Sequence, residues 1–170
     1  MRRALGIAGA LAAALTVGGT GLATAERAPV PIGPDCYTTL CLGQTEEEAL
    51  ATGLVVDHTP GEPTEGCNVL DFRPEEGQGN PGNGVFVHPE HGVVEIQGTD
   101  AMQTPEGAGF GQTLDQVREI YPDLYQYPPV DYTWAHDIAE RPGQRYIFAF
   151  KDDGYLADFG LEDVAGMDAC

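Results

Sequence analysis

A chain of 170 residues with 27 acidic and 8 basic side chains carries a formal charge of −19. That balance excludes a protein held to nucleic acid by its phosphates or to an anionic membrane surface, since both reward Lys and Arg. Serine is absent from the chain, so serine-nucleophile chemistry is excluded as well.

The first segment reads as a secretory signal. Arg2 and Arg3 precede the apolar run Ala4 to Val17, which dissolves into Gly18, Gly19, Thr20 and Gly21. A spanning helix wants about 20 apolar residues, and Ala23-Thr24-Ala25 supplies the small residues of a cleavage site. Residues 1–25 are therefore expected to be a signal peptide. The product is expected to be secreted and extracellular, with no membrane association after cleavage. Loss of the two arginines takes the charge to −21 over 145 residues, room for one domain with a core.

Four cysteines remain: Cys36, Cys41, Cys67 and Cys170. An even number in an exported chain implies two disulfides, and there is no Cys-x-x-Cys zinc pattern. Of the three possible connectivities, Cys36–Cys41 with Cys67–Cys170 is preferred. The second bond closes a loop of about 100 residues and contributes roughly 4–5 kcal/mol on the chain-entropy argument.

After a Pro-rich arm at 26–34, expected to be poorly ordered, two stretches match. Leu42-Gly43-Gln44-Thr45 followed by acids aligns with Phe110-Gly111-Gln112-Thr113 followed by Leu114 and Asp115. In each, Gly permits a tight turn and Thr is a helix N-cap, with Glu48 and Gln116 at the capping-box position. Downstream, Val85 to Ile96 and Ile147 to Asp158 each read as a hairpin around Gly92 and Gly154. A further strand is expected before each, near Cys67 to Phe72 and Tyr132 to Ile138. The expected fold is α+β: two tandem helix-plus-three-strand repeats, 35–103 and 104–170, forming a curved antiparallel sheet with short helices packed on it.

Tyr121, Tyr125, Tyr127, Tyr132 and Trp134 fall within a short stretch stiffened by Pro122, Pro128 and Pro129. Aromatic side chains on a stiff segment supply contact area at low entropy cost, so these five are the candidate partner-binding residues; the competing reading packs them between helix and sheet. No catalytic, cofactor or metal residue is assigned. Lys151 lies in an exposed turn that cannot desolvate an amine, and His88 and His91 flank a turn with no third ligand at a telling spacing.

The Gly43-Gln44-Thr45 and Gly111-Gln112-Thr113 motifs resemble the Gly-Met-Thr helix starts of the secreted β-lactamase inhibitor proteins of actinobacteria and of the small outer-membrane assembly lipoprotein domain, with Gln in place of Met. Leu42 to Thr45, Gly66-Cys67 and Thr104 to Gly107 are also similar to uncharacterised actinobacterial exported proteins. The resemblance implies helices on a curved antiparallel sheet; the inhibitors' contact loop has no counterpart that can be matched here. The expected function is an exported non-enzymatic protein-binding module, a candidate inhibitor whose partner is another extracellular or envelope protein. The alternatives are a secreted carboxylate-based enzyme or hydrolase accessory, and a purely structural envelope protein.

Overall fold

The computed structural model describes residues 28–58, 66–79 and 84–170. The expected signal peptide lies outside the described residues, as do the first two residues of the arm. The chain enters through β1 (Val30–Pro31), a small hairpin of β2 (Cys36–Tyr37) and β3 (Leu40–Cys41), and α1 (Glu46–Ala51). Four strands follow: β4 (Val55–Asp57), β5 (Asn68–Phe72), β6 (Val85–His88) and β7 (Gly92–Gln97). Then come β8 (Met102–Gln103), α2 (Leu114–Ile120), β9 (Tyr125–Gln126), β10 (Thr133–Asp137), β11 (Gln144–Phe150), β12 (Leu156–Asp163) and α3 (Val164–Met167).

The fold is α+β, but not the one expected. One open eight-stranded sheet has the order β4-β5-β6-β7-β12-β11-β10-β9, with β4 and β9 as its edges. Two small sheets stand beside it, β2 with β3 and a parallel pair of β1 with β8. The expected pair of tandem helix-plus-three-strand repeats on a curved sheet is therefore corrected: the sheet does not close, and there is no clear two-fold repeat. Strands β4 and β9 extend the unit that hydrophobic alternation suggested, and they are too short to show alternation themselves. Helix α3 follows β12 without a loop and has no counterpart after β7.

The Pro-rich arm is also ordered where it is described. Val30 N donates to Ala101 O at 2.8 Å and Ile32 N to Gln103 O at 2.7 Å. Ile32 is buried, and its carbonyl accepts from the Tyr146 hydroxyl at 2.9 Å.

The likeness of the two Gly-Gln-Thr corners is local and real. Gly43 and Gly111 have φ of +80° and +85°, the left-handed region that glycine enters without steric cost. Gln44 accepts from Cys41 N at 2.9 Å and donates to Thr39 O at 3.0 Å. Gln112 accepts from Gly109 N at 3.0 Å and donates to Gly107 O at 3.1 Å, the same offsets of three and five residues back. Each Gln thus clamps the turn before it, and a Met could not. Thr45 with Glu48 and Thr113 with Gln116 then form complete capping boxes.

One face of the sheet holds the main core. Across the central strands Val85, Ile96, Leu161 and Tyr146 stand opposite one another in register, as do Phe159 and Phe148. Ala49 of α1, Val117 of α2, Tyr37 and Leu40 close over them. Burying each large apolar side chain contributes on the order of 2–3 kcal/mol. Disulfides join Cys36 to Cys41 and Cys67 to Cys170. The second carries the chain after α3 across to the start of β5.

Candidate functional site

The opposite face of the sheet carries the chemistry. Because direct cross-strand partners share a face, the registers place Phe86, Glu95, Glu162, Arg145 and Asp137 in one row over five strands. Glu95, Glu162 and Arg145 are 3%, 4% and 5% exposed. The Arg145 guanidinium donates to Glu162 Oε1 through Nε at 2.9 Å and again through a terminal nitrogen. The Tyr127 ring covers its other side, 3.9 Å from the guanidinium carbon. At the end of the row the Tyr125 hydroxyl donates to Asp137 Oδ1 at 2.9 Å.

Glu95 has a different status. Burial first, and then the Glu162 carboxylate beside it, push its pKa up to about 8. It is therefore a neutral acid at neutral pH. Burial also raises Glu162, while Arg145 works against that rise. Two adjacent carboxylates of unequal proton affinity are what acid–base chemistry uses. Here both are almost fully buried, and that burial favours the protonated form of Glu95.

Two β-bulges flank this row. One interrupts the β6–β7 register after Phe86 and leaves Val94 as the extra residue; the other interrupts β11–β12 after Ala149 and leaves Ala157. Val94 is buried yet outside the main core cluster. Its cover is α3: a β-carbon added at Gly166 would stand 2.2 Å from Val94 Cγ1. Ala157 instead lines an open depression of about 530 Å³ with Tyr132, Ala149, Phe150, Lys151, Asp152 and Asp153. Tyr132 is 62% exposed, Tyr155 50% and Tyr125 38%, and these are the exposed large hydrophobic side chains of the described residues.

The five candidate aromatics consequently divide. Tyr121 belongs to the core: it is buried, stacks on His136 at 4.3 Å, packs against Phe148 at 5.6 Å, and its hydroxyl donates to Glu106 at 2.6 Å. Trp134 is half-buried against that same core with the Arg118 guanidinium 4.3 Å from its ring centre. Tyr127 supports Arg145. Tyr125 and Tyr132 remain as accessible surface. The packing explanation holds for Tyr121 and Trp134, and the strand parity of β10 separates Trp134 from Thr133 and Ala135.

The histidines are engaged locally. His88 Nδ1 accepts from the backbone of Glu90 and His91 at 3.1 and 3.3 Å. His58 and His136 pair with Asp71 and Asp123 at 2.9 and 2.8 Å. Among the described residues no group of three or more His, Cys, Asp or Glu is arranged to hold a metal ion, and no helix is long and apolar enough to cross a membrane.

Sequence reasoning missed Glu95, Arg145 and Glu162. The available signal was a charged residue adjoining an apolar one in each of three strands: Val94-Glu95-Ile96, Arg145-Tyr146 and Leu161-Glu162. Parity alone does not bring three strands to one level; that needs the register. Comparison of the chain with protein-family models, with curated proteins and with solved structures gave no match.

Proposed function

We propose that this chain is an exported, non-enzymatic protein-binding module, a candidate inhibitor, whose contact face lies at the β11–β12 end of the sheet. The observation that carries this reading is the exposed Tyr132 at the rim of an open depression there, with exposed Tyr155 in the β11–β12 turn. Tyr132, Tyr155 and Tyr125 all fall in the second half of the chain, and Tyr132 borders a depression whose walls include Ala149 and Ala157. Tyrosine is favoured at interfaces because it presents a rigid, amphipathic surface at low entropy cost. The resemblance of the Gly-Gln-Thr corners to secreted inhibitor proteins and the two disulfides agree with a partner met outside the cell.

The buried carboxylates do not favour the enzymatic alternative, since Glu95 and Glu162 are closed to any substrate in this fold. The test is capture from the culture medium and envelope of the producing organism with the oxidised protein as bait. A stoichiometric partner is expected, and it should be lost when Tyr125→Ala and Tyr132→Ala are combined. Neither residue is in the core, so circular dichroism should show the variant folded. A partner retained at full strength by that variant would move the contact face elsewhere.

A further inference from the structure

The two bulges of the sheet suggest what the open depression takes. At Val94 the fold itself supplies the cover: a single helical turn, Val164–Met167, seated through a residue without a side chain, Gly166. That turn shows the kind of element that fits against a bulge on this face. A short helix approaching through a small residue brings its backbone close, and the bulge residue packs beneath it. At Ala157 the corresponding space is the depression beside Tyr132.

Charge narrows the choice further. Asp131 precedes Tyr132, while Asp152 and Asp153 border the depression, against the single cation Lys151. None of these four makes an ion pair among the described residues, and Asp131, Asp152, Asp153 and Lys151 are all exposed. The chain as a whole carries −19. A field of that sign speeds the approach of a basic partner and repels an acidic one.

We infer that the depression docks a basic helical turn of a partner protein, with a small or aliphatic residue against Ala149 and Ala157 and Lys or Arg beside Asp152 and Asp153. This rests on the protein-binding reading above and specifies its partner. The aliphatic stems of those basic residues would lie along the Tyr132 ring while their charged ends meet the carboxylates.

Two short helix-forming peptides with the same Ala and Leu face, differing only in lysine or glutamate at the other positions, test the inference. Amide NMR shifts of the disulfide-bonded protein report the place of binding. The lysine peptide is expected to move Tyr132, Ala149, Lys151 and Ala157, with affinity that falls as salt is raised. Tyr132→Ala should weaken it roughly tenfold, and Asp152→Asn with Asp153→Asn should flatten the salt dependence. Equal or tighter binding of the glutamate peptide at this face overturns the basic partner and leaves the docking face standing. Shifts confined to other parts of the molecule, or none with either peptide, overturn the docking face as well.

Discussion

The bulge at Val94 and the bulge at Ala157 lie on the same face of the same sheet, and they have opposite fates. The first is closed by the chain's own α3, which is tied down beyond its end by Cys67–Cys170. The second opens into a depression rimmed by an exposed tyrosine. Between them runs the row Glu95, Glu162 and Arg145, buried as deeply as the core on the other side. One half of this face is thus closed by α3, and the other half borders the depression. Where α3 sits, substitutions should cost stability; beside the depression they should cost little.

The largest effect is expected from Arg145→Ala in the row that joins the two regions. It leaves Glu162 buried without its partner and next to Glu95, and a loss of about 3–5 kcal/mol is expected for stranding such a charge. Urea unfolding measures it. A loss below about 1 kcal/mol would mean that water reaches Glu162 and the row is not sealed.

Next comes the proton on Glu95. Its folded pKa of about 8 lies above the ordinary value of 4.5, so between these values the folded protein holds a proton that the unfolded chain releases. Stability from this group is complete below about pH 4.5 and is lost as pH rises through 8, with a slope of up to about 1.4 kcal/mol per pH unit. Besides burial, Glu162 and Asp158 act to raise it, and a hydrogen bond with the Gln97 side chain works against them. Glu95→Gln should remove this group's share of the slope, so that stability falls less steeply between about pH 5 and 8. An unchanged slope would assign the proton to another site.

A direct comparison of the bulges follows. Gly166→Ala forces a methyl group against Val94 and should cost about 1–3 kcal/mol as an overpacked contact. Ala157→Val enlarges a residue facing the open depression, and its effect on stability should stay within about 0.5 kcal/mol. Thermal unfolding of the pair would sharpen the contrast. Equal losses would show that the second bulge is as tightly covered as the first.

Much of this was readable in the sequence because it depends on near neighbours. The capping boxes at Thr45 and Thr113 and the hairpins at Gly92 and Gly154 are set by residues only a few positions apart. The strands β4 and β9, with three and two residues, carry no period of their own and exist because an edge was there to pair with. The charged row is legible strand by strand but assembled only by register, including the bulge shifts that no local pattern announces. Tyr121 and Tyr132 illustrate the limit for the site. Both are aromatic residues beside an extended segment, yet one ends α2 under the core while the other stands exposed at the rim of the depression.

Lys151 is the only lysine in the chain and stands at the rim of the depression. Amine-directed chemistry therefore has one side-chain target in the whole molecule. A fluorophore or photo-crosslinker attached there would sit within reach of whatever occupies the site, with no mutagenesis and no competing side-chain label. A composition so poor in lysine turns the proposed contact face into its own reporter.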